Sequence, residues 1–155
     1  MISLAIVRHA KSDWGDPGVP DHDRPLNARG LRDAPRMAAR LAERGFRPDR
    51  ILTSTALRAA TTADAFGTAL GLPAEREPLL YGADADTLRQ VAVESGAPSV
   101  LLVAHDPGLS ILAYELSGEI PHMPTCAVAT FTWDVDDWDA ASRTDPQGWD
   151  LDVPR

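Results

Sequence analysis

Ser99-Val100-Leu101-Leu102-Val103-Ala104-His105-Asp106-Pro107-Gly108 is the stretch that decides the fold. Its first six residues carry no charge and run almost continuously apolar. Such a run reads as a strand buried on both faces, at the centre of a mostly parallel sheet. His105, Asp106 and Pro107 then turn the chain. Beyond them Leu109, Leu112, Ala113 and Leu116 recur at helical spacing. Pro107 suits the first helical position and Asp106 suits a cap.

Working outward, the same alternation repeats. Leu4 to Val7 is a short apolar strand that ends at Arg8-His9. Residues 10–26 hold prolines, glycines and aspartates and read as a loop. Asn27 to Arg44 is helical, with Leu31, Ala34, Met37, Ala38 and Leu41 on one face and Gly45 as the stop. Pro35 either bends this helix or marks a late start, and a bend is expected. Arg50 to Thr53 is a second strand. Ser54 or Thr55 caps a helix that runs to about Leu70 and ends at Gly71. Glu75 to Leu79 is a third strand, and Asp84 to Glu94 a helix with Leu88, Val91 and Ala92 inward. Cys126 to Trp133 alternates as a late strand. Gly148 to Val153 returns as its hairpin partner, with an aspartate-rich loop between. No repeat or low-complexity segment interrupts this order. Alternating strands and helices imply an α/β fold, a mostly parallel central sheet with helices on both faces.

The chain has 155 residues, which fits a single domain over 1–155. Hydrophobic residues make up 44% and charged residues 25%, the balance of a chain with a true core. Cys126 is the one cysteine, so no internal disulfide forms and a reducing compartment suits it. The apolar start is too short for a signal peptide, and no stretch has the length of a membrane span. A soluble cytoplasmic protein with no membrane partner is the expectation. The net charge of −8 argues against nucleic acid as a partner. Seven aspartates in residues 134–155, against Arg143 and Arg155, read as a solvated edge. On so acidic a chain, an anion site must rest on particular arginines.

Three segments place such groups just past a strand, near a helix start. Ligands of open α/β sheets bind outside the carboxyl ends of strands, and helix N-termini favour anions. Val7-Arg8-His9-Ala10 offers a guanidinium fork for two phosphate oxygens and an imidazole nitrogen that can attack phosphorus. Ser54-Thr55-Ala56-Leu57-Arg58-Ala59-Ala60-Thr61-Thr62-Ala63 puts Arg58 in the first helical turn. Val103-Ala104-His105-Asp106-Pro107-Gly108 puts His105 after the most buried strand. Taken singly, each also reads as an ordinary surface or structural residue.

Together, and in this order, the three segments resemble the histidine phosphatase superfamily, also called phosphoglycerate mutase-like. Arg24-Pro25-Leu26-Asn27 with Gly30, and Gly118-Glu119-Ile120-Pro121-His122-Met123-Pro124-Thr125, are similar to SixA-type phosphohistidine phosphatases. So is the short chain, with no inserted lid domain. The resemblance covers residues 3–133 and implies a three-layer sandwich. It implies that His9, Arg8, Arg58 and His105 are catalytic, that Arg8, Arg58 and His105 bind the phosphoryl group, and that no cofactor or metal takes part. Arg24 is a further candidate for substrate contact. Ala10 stands where most members have glycine, which is tolerated if its φ is negative. Many members carry a glutamate after the third strand as general acid. Glu77 and Asp84 are the candidates here, although SixA-like members lack a convincing acid.

The implied reaction is attack by neutral His9 on phosphorus, then hydrolysis of the phosphohistidine enzyme. Nearby arginines favour the neutral imidazole and bind the anion at once. A site without a strong acid suits a P–N bond better than a P–O bond, because protonated imidazole leaves readily. The expected substrate is therefore a phosphorylated protein carrying phosphohistidine. A phosphomonoesterase acting on a small phosphate ester, with Glu77 or Asp84 as acid, is the alternative. A non-catalytic phosphoprotein-binding module is a second. A metal hydrolase built on His9, His105 and Asp106 lacks any close-spaced ligand motif. Cys126 has no C-x5-R phosphate loop and reads as a small buried hydrophobe.

Overall fold

Successive residues of the two central strands enter different cores, and this alternation sets the layers. The computed structural model describes all 155 residues. In chain order it contains β1 (Ile2–Arg8), α1 (Ala28–Glu43), β2 (Arg50–Thr53), α2 (Leu57–Leu70), β3 (Ala74–Arg76) and α3 (Ala85–Val93). Then come β4 (Ser99–Ala104), α4 (Gly108–Ser117), β5 (Val128–Trp133), the short α5 (Trp138–Ala141) and β6 (Gly148–Asp152). Single 3-10 turns occupy Asp21–Asp23 and Pro78–Leu80. Ile2, Leu4 and Ile6 of β1 and Val100 and Leu102 of β4 pack with α3, α4 and α5. Ala5 and Val7, with Leu101 and Val103, pack with α1 and α2 on the other face. This is the expected α/β sandwich of three layers.

The six strands lie in the order β3-β2-β4-β1-β5-β6. The first four are parallel, while β5 runs antiparallel to β1 and β6 antiparallel to β5. From β1 the chain crosses to one side, through α1 to β2. From β4 it crosses to the other side, through α4 to β5. The connections diverge at the carboxyl ends of β1 and β4, and a crevice opens where they part.

Several local expectations are corrected. Leu31 is 58% exposed, so the buried face of α1 is narrower than its apolar spacing suggests. α1 begins at Ala28, capped by the Asn27 side chain, and runs through Pro35, so the late start is excluded. Pro35 gives up the backbone bond to Leu31 that a helix interior would otherwise make. β3 ends at Arg76, and Pro78–Leu80 turns away as a 3-10 turn. The late strand begins at Val128 rather than Cys126. Neither Ser54 nor Thr55 is the N-cap of α2, which is Ala56; Ser54 Oγ accepts from the Ala56 N–H instead. The Asp106 carboxylate does serve α4, accepting from the Ser110 N–H at 3.0 Å, with Pro107 in the cap position.

No helix of the structure is long and apolar enough to cross a membrane.

One close approach ties the sandwich to the crevice. A Cβ at Gly30, in the first turn of α1, would stand 2.2 Å from the Lys11 carbonyl oxygen. The Asn27 N–H donates to that same carbonyl at 3.0 Å. Gly30→Ala therefore pushes α1 and the loop after His9 apart. The expected cost is about 2 kcal/mol, typical of overpacking. It would be read as a fall in Tm of ~4–8 °C for a chain of this size. An unchanged melting curve would show that the two backbones do not meet as described.

Candidate active site

Three parallel strands end together at the crevice. The His9 N–H donates to the Ala104 carbonyl at 3.1 Å, and the Ser54 N–H to the Val103 carbonyl at 2.9 Å. The residues after β1, β4 and β2 (His9, His105 and Ser54) thus share one edge. Arg58 joins them from the first turn of α2. The loop after β1 folds over the edge, held by a bridge between Ser12 and Leu26 and by the Asp13 N–H on the Pro25 carbonyl at 2.8 Å. It brings Trp14, Asp21 and Arg24. The cavity that results has a volume of about 260 Å³ and is lined by Arg8, His9, Arg24, Arg58 and His105 among others.

His9 is buried, and its Nδ1 lies 2.8 Å from the Ala10 carbonyl oxygen. A carbonyl only accepts, so Nδ1 carries the proton and Nε2 presents a lone pair. Burial lowers the His9 pKa from 6.5 to about 4, and Arg58, Arg8 and Arg24 push the same way against the Ala10 bond. At neutral pH the ring is neutral. Ala10 does not have a positive φ, so a side chain is tolerated there. Its N–H donates to Thr62 Oγ1 at 3.0 Å, and the Thr62 hydroxyl donates to the Arg58 carbonyl at 2.8 Å. The Arg-x-x-x-Thr spacing on α2 thereby fixes the backbone behind His9.

His105 faces His9 with ring centroids 5.2 Å apart and planes inclined at 52°. Its Nε2 lies 2.7 Å from Ser54 Oγ. Burial, then His9 and Arg58, lower its pKa to about 3 against the pull of Asp21.

Each guanidinium is held in place. Arg8 donates to the Met123 carbonyl at 3.0 Å and stands 3.6 Å from the Asp106 carboxylate. Arg58 donates to the Asp21 carbonyl at 2.7 Å and to Asp21 Oδ2 at 3.1 Å. Arg24 donates to Ser12 Oγ at 2.6 Å and to Asp21 Oδ1 at 3.1 Å, and lies 3.5 Å above the Trp14 ring. Tyr81 donates its hydroxyl to Asp21 Oδ2 at 2.7 Å. That bond, with Arg24 and Arg58, holds the Asp21 carboxyl well below the usual carboxylate range and pushes the Tyr81 phenol up. Three buried side-chain polar atoms lack a partner: Arg8 Nε, Arg58 Nε and His105 Nδ1. All belong to cavity residues. Such orphans are rare in folded proteins and cost free energy until a ligand or water meets them.

Thus Arg8, His9, Arg24, Arg58 and His105, which the sequence marked, come together. Glu77 and Asp84 do not. Glu77 lies in a separate surface depression with Arg50, Leu79 and Glu94. Asp84 is spent as the N-cap of α3, accepting from the Thr87 N–H at 2.8 Å. Neither carboxyl reaches the cavity, which corrects the expectation of an acid at either position. Asp21, Trp14 and Tyr81 are site residues that sequence reasoning passed over, and Ser54 and Asp106 were read there as caps, with Asp106 also in the metal-hydrolase alternative. The spacing of Asp21 three residues before Arg24, within one turn, was the available signal. Cys126 is buried, its thiol pushed up to about 12 by burial, which suits a hydrophobe and not a nucleophile. Its backbone has φ 63, uncommon for a residue with a side chain, and its N–H is shared between the Arg8 and His9 carbonyls at 3.0 and 3.1 Å. It closes the end of β1 at the point where His9 leaves it. No group of three or more His, Cys, Asp or Glu side chains is arranged to hold a metal ion.

Comparison with known proteins agrees with this geometry. Residues 4–91 match the model of the histidine phosphatase superfamily, branch 1. The chain belongs to that superfamily. It is 33% identical to the phosphohistidine phosphatase SixA of Escherichia coli over 141 residues, 86% of each chain. A crystal structure of a SixA homologue from Agrobacterium tumefaciens superposes with a TM-score of 0.82, at 31% identity and 99% coverage of both chains. A structure of the protein histidine phosphatase SixA complexed with tungstate gives 0.73, at 33% identity, over 86% of this chain and 89% of that one. The chain is therefore a SixA-type member, and a phosphatase.

The two depressed histidines make stability depend on pH. Unfolded, each binds a proton near 6.5; folded, only near 4 and 3. Below pH 6.5 the unfolded chain holds more protons, so stability falls as pH drops toward 4. The slope is about 1.4 kcal/mol per pH unit for each histidine. Urea midpoints measured from pH 7.5 to 4.5 should decline, and less steeply in a His9→Asn/His105→Asn variant. An equal decline in the variant would assign the acid sensitivity elsewhere.

Proposed function

We propose that this phosphatase hydrolyses phosphohistidine on a protein through a covalent phosphohistidine intermediate on His9. The observation that carries the proposal is the fixed tautomer of His9: Nδ1 is tied to the Ala10 carbonyl and Nε2 is left free. Cations and unpartnered polar atoms ring the same cavity. In the first step the Nε2 lone pair forms a bond to phosphorus. The P–N bond to the substrate breaks, and the leaving imidazole keeps the electron pair on a ring already protonated at its other nitrogen. In the second step a water oxygen attacks phosphorus, the bond to Nε2 breaks, and inorganic phosphate and neutral His9 remain once the water proton is released. Arg8, Arg58 and His105 stabilise the equatorial oxygens as charge shifts. A phosphoryl dianion beside His105 raises its affinity for a proton, so it then donates with charge assistance. Arg24 contacts the substrate from the loop.

Support comes from two further sources. Relatives of comparable length are a phosphohistidine phosphatase and a protein histidine phosphatase that takes up tungstate, a phosphate-like oxyanion. Of the two carboxyls that line the cavity, Asp21 is held ionised and Asp106 accepts from the Ser110 N–H and hydroxyl beside Arg8, while Glu77 and Asp84 lie outside. Imidazole leaves without a proton donor and an alkoxide does not. A reducing, cytoplasmic setting is in keeping with the single cysteine.

Incubation with a phosphohistidine protein labelled on phosphorus should leave acid-labile label on His9. His9→Ala should abolish it and cost about a thousandfold or more in rate. Arg58→Ala should cost about a hundredfold. Label persisting in His9→Ala at the wild-type rate would sink the mechanism. Turnover of sugar phosphates faster than of phosphohistidine peptide would move the assignment to small esters.

A further inference from the structure

The cavity has a depth gradient. His9, Arg24, Arg58 and His105 are only 6–7% exposed, whereas Trp14 is 71% exposed. A phosphoryl group seated among the buried cations is attacked from the floor by His9. In-line displacement sends its leaving group away from His9, toward the open side. Trp14 is there. It is the one large apolar side chain lining a cavity otherwise built of polar and charged groups.

Its ring is also held in place. The Arg24 guanidinium covers one face at 3.5 Å, and Arg24 is itself pinned by Ser12 and Asp21. An aromatic ring fixed before binding loses little freedom when a ligand stacks on it. The Asp21 carboxylate at the same rim is already taken by Arg24, Arg58 and the Tyr81 hydroxyl, which leaves the indole face as the group open to a ligand. The exposed indole face fits a second flat aromatic ring stacked against it. It offers much less to a linear amine.

We infer that Trp14 is a specificity-determining residue that binds the leaving imidazole ring, so that the enzyme prefers phosphorylated histidine to acyclic phosphoamines. This rests on the proposed function and goes beyond it, because nucleophile and cations treat every phosphoryl donor alike. N-phosphorylated imidazole has the required flat ring.

The test uses the full chain and two small P–N donors. N-phosphoimidazole carries the ring and phosphoramidate does not. The readout is the ratio of kcat/KM for the first over the second. Trp14→Ala should lower this ratio about tenfold, mainly through KM for N-phosphoimidazole. Trp14→Phe should keep most of it, since a ring remains. If Trp14 serves only to hold Arg24, both donors suffer together and the ratio is unchanged, which overturns the inference. Label still appearing on His9 in that case would leave the proposed function standing. Wild-type protein that labels His9 with neither donor, yet hydrolyses phosphate esters, would overturn the function and this inference with it.

Discussion

Arg8 stands opposite Ala104 in the parallel ladder between β1 and β4, and the next amide, that of His9, bonds to the Ala104 carbonyl. This pairing places two imidazoles from distant parts of the chain 5.2 Å apart. A slip of one residue would turn Leu4 and Ile6 out of one core and Ala5 and Val7 out of the other. It would also carry His9 away from His105. The same alternation that buries the sheet on both faces therefore aims His9, the proposed nucleophile. Packing and chemistry cannot be adjusted separately here.

The chain carries a net charge of −8, yet its cavity gathers three arginines. Two aspartates at the cavity hold them. Asp21 takes Arg24 and Arg58, and Asp106 stands near Arg8 while its oxygens accept from the Ser110 N–H and hydroxyl. Buried guanidinium groups cost much less when paired than when alone. His9 is treated in the opposite way. It sits among the same cations with no carboxylate bonded to it, and burial keeps it neutral. Local pairing thus separates the groups that stay charged from the imidazole that stays neutral.

The sheet was legible because its strands are short apolar runs between turn signals. β2 and β4 end where the apolar runs end, and α2, α3 and α4 begin within a few residues of their predicted starts. Arg8, His9, Arg58 and His105 were legible because their three segments, each at a strand end or a helix start, together resemble one family. The loop over residues 10–26 was not. It has no period, and its course is set by contacts far along the chain, such as Gly30 against Lys11 and Tyr81 against Asp21. Leu31 misled because a three-residue spacing cannot tell the edge of a buried stripe from its centre. Glu77 and Asp84 misled for a related reason. The 3-10 turn at Pro78–Leu80 carries the chain so that Tyr81 reaches the cavity rim and the flanking carboxyls do not.

That placement bears on how a leaving group is protonated. A carboxyl acid at this rim would have to give up a proton, and Asp21 cannot serve. Tyr81 donates to it, Arg24 and Arg58 surround it, and it stays ionised. A substrate that already bears a positive charge on its leaving ring does not need the missing donor. It gains instead from an aromatic face to stack on. On the proposed reading, an ionised, arginine-bound carboxylate and an open indole make the rim a poor acid for an ester and a platform for a leaving ring. In the proposed function the choice of bond to be broken then follows from the rim, while the power to break it resides in the floor.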